Sequence, residues 1–497
     1  MLPASLRPVV MAWVALMALG ATAVDASAQV TGGGDLMTLA RRPLAELIGA
    51  LPGREISLQQ LLVVARERSL PLEAARVSRQ LAETDVDVRG GDFDLALELQ
   101  AGLARSRALG GRTDAYRVGV GQVLPWGTAI GVDLAGTRLP SGVGSAYDAD
   151  VGVSLSQPLL EGFRTRDADL RVARLFDQAA AHRLNRATSV VTANVELAYW
   201  ALAEAEAVEA VLQRSLEIAQ ALLFRNEQLA ERQLVAEVDV LTARSAVALR
   251  RSTLVAARSN RESASDALVF LVWGESAVQE LASSPEPIKS APGEVAMTTS
   301  SDMATAEGLA LERRTDVLAA RLDLRGADVV ADAASNARLP SLTLDTGVRR
   351  GGTDSTLGNA LGALDQGWSW SVGLGFSQPL RNRRDRGRDQ AADLLRELRR
   401  IDLVLTENAV RREVRDAVRG IRAGGERAAA AQEAADLASD QLEAERRRLD
   451  LGLGDSFRLL ETEENAVQAE LESVRSGYDL RRAGTLYRLA VGEIGGA

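Results

Sequence analysis

Apolar positions along this chain recur with two different periods. In two regions apolar and polar residues alternate, the period of a strand with one face covered. The first region predicts strands at Phe93 to Arg107, Tyr116 to Leu124, Thr128 to Leu139 and Asp148 to Gln157. The second predicts strands at Ser341 to Arg349 and Trp368 to Gln378. Lengths near 9–11 residues suit a tilted crossing of the hydrocarbon layer. Tyr116, Trp126, Tyr147, Trp368 and Trp370 fall near strand ends, where an aromatic girdle would lie. An ordinary soluble sheet with aromatic ends has the same alternation. Gly142 to Gly144 and Arg350 to Leu361 read as exposed loops.

Elsewhere apolar residues recur at three- and four-residue steps, as in Val195, Ala198, Leu202, Ala205, Val208 and Leu212, which places one stripe on a helix. Between Gly162 and Gly274 there is neither glycine nor proline, and no proline follows Pro379. Ala, Leu, Glu, Arg and Gln dominate these runs, all strong helix formers. A helix from Asp167 to Ala230 would be about 96 Å long at ~1.5 Å per residue, too long for a compact domain. The stripes are rich in alanine, so each helix needs neighbours on both flanks, as in a curved wall of coiled coils. The runs fold back once in each half, at Arg232 to Ala236 and at Leu451 to Asp455. The second has the glycines of a helix C-cap; the first has none, and its place rests on a family resemblance.

The two regions are copies of each other. Ser156-Gln157-Pro158-Leu159 recurs as Ser377-Gln378-Pro379-Leu380, each after a strand pattern and before arginines and a long helix. Proline ends the ladder in both because it has no N–H to donate. The reading is an α+β chain, internally duplicated. It has an irregular segment at 29–54, a first repeat at 55–275, a linker rich in Pro, Ser, Thr and Glu at 276–304, and a second repeat at 305–497.

Residues 1–28 read as an export signal: Arg7, then an apolar run from Val9 to Gly20, then Ala26-Ser27-Ala28 before Gln29. No later run reaches the ~18 apolar residues of a spanning helix, so any membrane crossing must use strands.

Composition removes most enzymes. With no cysteine among 497 residues there is no disulfide framework, thiolate metal site or thiol nucleophile. The single histidine, His182, excludes paired-histidine zinc motifs and reads as structural or surface. The single lysine, Lys289, follows no glycine loop, which excludes a nucleotide-binding P-loop. A net charge of −10 argues against nucleic acid as partner. No cofactor or catalytic set is expected, so the chain reads as no enzyme. A periplasmic enzyme would need a perturbed carboxylate cluster in a concave pocket.

The signal, the duplicated strands and helical hairpins, and the two Ser-Gln-Pro-Leu junctions together resemble the outer-membrane efflux protein family, the TolC-like channel-tunnels. Leu234-Val235-Ala236-Glu237-Val238-Asp239-Val240-Leu241 looks like the family's first periplasmic turn, and Arg338-Leu339-Pro340-Ser341-Leu342 resembles its helix-to-strand junction. The resemblance implies a homotrimer whose transmembrane strands close one β-barrel in the outer membrane. Very long helical hairpins would continue it into the periplasm as an α-barrel. It implies a passive exit duct for a tripartite efflux pump or a type I secretion system, with a periplasmic adaptor and an inner-membrane pump as partners. A non-transporting periplasmic coiled-coil scaffold is the alternative. Two departures stand out. A further hairpin around Gln122 to Thr128 takes the strand count past the usual four, and the chain stops at Ala497, so a tail around the tunnel is short or missing.

By position in the resemblance, Asp239 and Glu461 match the family's acidic gate sites, with Arg458 where a further aspartate is common. A threefold ring of carboxylates favours cations, and Arg458 could latch either acid. All three also read as solvated helix-surface charges. Leu234, Val235, Ala236, Leu451, Gly452 and Leu453 would meet the adaptor or pack within their own hairpins. Gln157, Pro158, Gln378 and Pro379 mark the barrel-to-helix junctions. Arg164, Arg166, Arg381, Arg383 and Arg384 would meet inner-leaflet phosphates of outer-membrane lipid, or simply begin solvated helices.

Overall fold

The computed structural model describes residues 55–106, 111–141, 144–274, 289–290, 302–364, 367–451, 453–454 and 456–494. The predicted export signal, the 29–54 segment, most of the linker and Gly452 lie outside the described residues.

The first half opens with a two-residue strand β1 (Glu55–Ile56), then α1 (Leu58–Arg68) and α2 (Leu70–Gly90). Ser57 starts α1 through a capping box with Gln60, satisfying two end groups of the helix reciprocally. Four strands follow: β2 (Ala96–Ser106), β3 (Gly111–Val123), β4 (Ala129–Ser141) and β5 (Gly144–Pro158). The chain then runs into α3 (Ala168–Glu231) and back along α4 (Glu237–Trp273). After β6 (Lys289–Ser290), which pairs parallel with β1, the pattern repeats. It gives α5 (Met303–Arg313), α6 (Thr315–Asn336), β7 (Ser341–Asp354), a short α7 (Leu357–Gly362), β8 (Gly367–Ser377), α8 (Arg383–Asp450) and α9 (Ser456–Val491). The two long helices have 64 and 68 residues. The first is free of glycine and proline, while the second runs unbroken through Gly387, Gly420, Gly424 and Gly425, so both are continuous struts. Among the described residues no helix is long and apolar enough to cross a membrane.

The helices form a wall. On one flank of α3 lie α2 and, further along, α4, tied by Arg89–Asp169 at 3.8 Å and Arg244–Glu227 at 2.8 Å. On its other flank lie α6 and α9, tied by Arg183–Asp323 and Arg482–Glu204, both at 2.5 Å. The strut α8 packs beyond them, against α6 and α9. Two apolar clusters repeat the duplication. Leu61, Val195, Trp200, Leu202 and Val269 join α1, α3 and α4; Ala306, Val410, Val414, Tyr487 and Val491 join α5, α8 and α9.

The six longer strands form one antiparallel sheet in the order β2-β3-β4-β5-β7-β8. Three strands reach at least four residues further than their alternation predicts. β3 begins at Gly111, β5 at Gly144, and β7 runs on to Asp354 through glycines that read as a loop. Gly351 and Gly352 pair with Asp150 and Ala149, so backbone pairing rather than side-chain pattern extends these ends. The helix α7 then folds back over the sheet. Gly352 must be glycine there: a Cβ would stand 2.2 Å from the Ala363 carbonyl oxygen.

The β3–β4 turn is held from below. Gly127 has φ near +100°, and a Cβ on it would lie 2.7 Å from the Gly162 carbonyl oxygen and 2.8 Å from Pro158. Gly127→Ala is expected to destabilise the sheet by about 1–3 kcal/mol, the cost of a non-glycine residue in this region. The urea midpoint for folding in detergent or lipid measures it, and an unchanged midpoint would refute the clamp.

Candidate functional site

The sheet has two unlike faces. Cross-strand register places Leu97 and Leu99 beside Val120 and Val118, and these beside Val132 and Leu134. The same line continues through Val153 and Val151 to Val348 and on to Trp370. One apolar face therefore crosses all six strands. On β8 it consists of Trp368, Trp370, Val372, Leu374 and Phe376, each 63–69% exposed. The opposite face carries Glu98, Gln100, Arg117, Asp133, Asp150, Arg349, Ser369 and Ser371. There Arg349 bonds Asp150 at 2.5 Å and Asp133 at 3.2 Å, and Arg117 lies 3.8 Å from Asp133. A sheet with a bare apolar face, a charged face and two unpaired edge strands cannot stand alone in lipid, where every backbone group needs an internal partner.

Where the strands meet the helices, the predicted junction residues come together. The Gln157 amide oxygen accepts from the Thr128 hydroxyl, and its NH2 donates to the Pro158 carbonyl at 2.8 Å. The Leu159 amide donates to the Leu342 carbonyl at 2.7 Å, which joins the first Ser-Gln-Pro-Leu exit to the Arg338–Leu342 junction. Pro158 is the last ladder residue of β5, and β8 ends two residues before Pro379. Gln378 lies at the second junction with its side-chain oxygen buried and unbonded among the described residues.

Two asparagines the sequence did not single out bind these junctions. Asn336 accepts from the Gly162 amide at 2.8 Å and the Thr165 hydroxyl at 2.9 Å, and donates to the Leu160 carbonyl at 3.2 Å. Asn382, in left-handed backbone with φ near 38°, donates to the Arg338 carbonyl at 3.1 Å. Asparagine tolerates that conformation better than other side chains; its place between an arginine-rich run and the proline was the available signal. Arg164, Arg166, Arg381, Arg383 and Arg384 are all exposed around this level.

At the far end of the helices the two turns stand side by side. Arg225 pairs with Asp450 at 2.8 Å, and the Ser456 hydroxyl donates to Asn226 at 3.3 Å. Leu222 packs with Leu459 and Leu460. The tips themselves are apolar and bare, with Leu234 67% and Leu451 74% exposed; Ala236 and Leu453 are exposed as well, and Val235 is half-buried. Asp239 occupies the third position of α4, where its carboxylate accepts from the Ala236 amide at 3.2 Å. Glu461 is exposed on the first turns of α9, and Arg458 lies 3.8 Å from Glu445.

A buried charge cluster was not visible in the sequence. Arg250 of α4 donates to the Ser215 hydroxyl of α3 at 2.9 Å and to Glu463 of α9 at 3.3 Å. Glu463 is 1% exposed, and burial pushes its carboxyl above the usual range, against the pull of Arg250 and Arg446. Its second oxygen and one Arg446 nitrogen are buried without a hydrogen-bond partner among the described residues. Only the fold brings these residues, 213 positions apart, together. Among the described residues no cluster of His, Cys, Asp or Glu could hold a metal ion.

A bare apolar sheet above long periplasm-type struts defines a class, the outer-membrane channel proteins. The sequence model for outer membrane efflux proteins matches residues 61–272 and 308–492, and the chain belongs to that family. Its place is the outer membrane and its class is a transport channel rather than an enzyme. Three solved structures share the fold. The outer-membrane channel OprN is 19% identical, with 88% of this chain and 90% of that chain covered and a TM-score of 0.64. VceC of Vibrio cholerae is 19% identical, with 88% and 96% covered and a TM-score of 0.63. CmeC of Campylobacter jejuni is 16% identical, with 88% and 85% covered and a TM-score of 0.62. Among curated proteins none matches the chain.

Proposed function

We propose that three copies of this chain close a single barrel and tunnel that serves as the passive exit duct of a tripartite efflux pump or a type I secretion system. A periplasmic adaptor and an inner-membrane pump would be its partners. One observation carries the reading. The apolar sheet face ends in two unpaired edge strands, and the helical wall below ends in bare apolar stripes on the same two margins. Leu394, Leu398, Ile401 and Leu405 line α8 at helical spacing, and Val77, Leu81 and Val88 line α2, all exposed. Opposite margins that both need covering fit a head-to-tail ring of identical copies. A non-transporting scaffold has no use for the lipid-facing side of the sheet.

In this reading residues 55–275 and 305–497 are the two repeats, joined by the 276–304 linker after removal of residues 1–28. The exposed arginines at the junctions, Arg164, Arg166, Arg381, Arg383 and Arg384, meet inner-leaflet phosphates, which guanidinium pairs with bidentately. The bare tips at Leu234, Val235, Ala236, Leu451 and Leu453, with Gly452 between the last two, take the adaptor. Asp239, Arg458 and Glu461 stand at the narrow end as the gate, opened by rotation of the helical turns.

Light scattering of the detergent-solubilised protein is expected to give a trimer, and a monodisperse monomer would refute the shared barrel. In planar bilayers the protein should conduct weakly, and replacing Asp239 and Glu461 together by alanine should raise single-channel conductance. Unchanged conductance would remove the gate assignment while leaving the channel intact; no conductance from any variant would remove the channel. Because Asp239 also caps α4, Asp239→Asn alone checks that a lost cap, worth about 1 kcal/mol, is not the cause.

A further inference from the structure

The duplication is unequal. Helices α1 and α5 begin 245 positions apart, whereas Pro158 and Pro379 lie 221 apart, so the first half carries about 24 residues more, within its sheet region. It contributes four strands and the second half contributes two.

We infer that β2 and β3 are staves of the barrel. The seam between copies runs between β2 of one protomer and β8 of the next, and the closed ring has 18 strands, six from each of three copies. The inference rests on the trimeric reading above and fixes where its copies meet.

Four observations support it. First, β3 covers the edge of β4 over ten consecutive pairs, from Asp114–Arg138 to Val123–Ala129, so β4 has no free edge to offer a neighbour. Second, the apolar face continues without a break onto the added pair, through Val118 and Val120 to Leu97 and Leu99. A hairpin lying outside lipid or inside the lumen would not need that face.

Third, the added pair is anchored. The Arg164 amide donates to the Trp126 carbonyl at 3.3 Å, which holds the turn joining β3 to β4, and the Gln122 side-chain amide donates to the Phe93 carbonyl at 3.0 Å. Fourth, the two free edges match. β2 and β8 have 11 residues each and run in opposite senses relative to the helices, so an antiparallel ladder closes the ring with alternation intact. Below them α2 leads into β2 and α8 leaves from β8, so sheet and wall share the same two margins.

Strands about 4.8 Å apart and tilted about 40° make an 18-strand ring about 36 Å across, against about 24 Å for 12 strands. The wall below has four helix columns per copy. Twelve columns spaced about 10 Å apart enclose about 38 Å, so the wider ring meets the tunnel without a taper.

The absence of cysteine makes the seam directly testable by disulfide capture. Gln100→Cys or Ala104→Cys on β2 is combined with Ser371→Cys, Gly373→Cys or Gly375→Cys on β8, all on the face opposite the apolar one, to bracket the register. Mild oxidation of membranes should shift at least one combination from monomer to covalent trimer on a non-reducing gel, reversed by reductant. Ala135→Cys on β4 with the same β8 partners should stay monomeric, because two intervening strands hold the pair about 14 Å apart, beyond disulfide reach.

Capture between β4 and β8, or no capture between β2 and β8 in a protein that scatters as a trimer, overturns the inference. A monomer by scattering instead overturns the trimeric reading itself. Cryo-electron microscopy of the unsubstituted protein guards against variants that misfold. An 18-strand ring in top view supports the inference, and a 12-strand ring refutes it whatever the variants do.

Discussion

Val372→Arg and Leu374→Arg are each expected to cost about 2–4 kcal/mol of folding stability in a lipid bilayer. Both residues lie near the middle of β8 on the apolar face, where no neighbouring element of the same copy covers them. An arginine there is held in hydrocarbon, so its charge must be desolvated or pulled toward the interface. Trp368, on the same face but at the strand end, lies close to headgroup water, and its arginine variant should lose only about 0–1 kcal/mol. Ser371→Arg tests the other face. It lies on the face that carries Arg349 and Gln100 rather than on the apolar one, so folding should change little while anion permeability rises. Folding into vesicles, followed by urea titration of gel mobility, reads all four variants, and reversal potentials also read the last. Equal tolerance on both faces would mean that the apolar face is not in lipid.

The long helices and the strand junctions were legible in the sequence for physical reasons. A glycine- and proline-free run of strong helix formers gives α3 nothing that breaks it, and the structure carries it to Glu231; the turn that follows has no glycine of its own, and its place was read from the family resemblance. Proline at 158 and 379 marks where a ladder loses its donor, and the strands stop there or two residues before. The outer ends of the strands were not legible. At Gly111, Gly144 and Gly351 side-chain alternation fades into glycine and polar residues, yet backbone pairing continues because the neighbouring strand is already in place. The helix α7 was missed for a related reason. Its signal is only Thr356 accepting from the Asn359 amide, and its seat is three small residues on three strands, Gly136, Ala149 and Gly352. Tertiary contact, not local pattern, makes it.

The gate candidates show the limit from another side. Asp239 was read from its resemblance and its charge, and the structure gives it a local task as well, capping α4. Both readings come from the same carboxylate at a helix start. What the resemblance to a family could not supply was Arg250 and Glu463, because in helices crowded with arginine and glutamate no spacing distinguishes the pair that becomes buried.

That pair leads to the largest effect expected in the helical wall. Arg250→Met should destabilise the folded protein by about 3–5 kcal/mol at neutral pH, since it leaves Glu463 buried with its main partner gone. Replacing both, Arg250→Met with Glu463→Leu, should recover most of the loss or exceed the parent, because the desolvation of two charges disappears with their attraction. The pH dependence separates charge from packing. Burial raises the Glu463 carboxyl in the folded state, so folding takes up a proton there. The stability this gives is fully present below the ordinary glutamate range and is lost as pH rises through the elevated value. Without Arg250 to favour the carboxylate, that value rises further. The deficit of Arg250→Met should therefore shrink on acidification and be greatest above neutrality, while the double variant stays flat. Helical circular dichroism against denaturant at pH 5 and pH 8 measures all three proteins. A deficit independent of pH, or a double variant as unstable as the single one, would mean that the Arg250 side chain acts only by filling space. The same cycle bears on opening. Arg250 ties α4 to α9 across Ser215 of α3, so it resists any sliding of one helical hairpin against the other. If the turns rotate to open, Arg250→Met should also conduct more than the parent in bilayers at neutral pH.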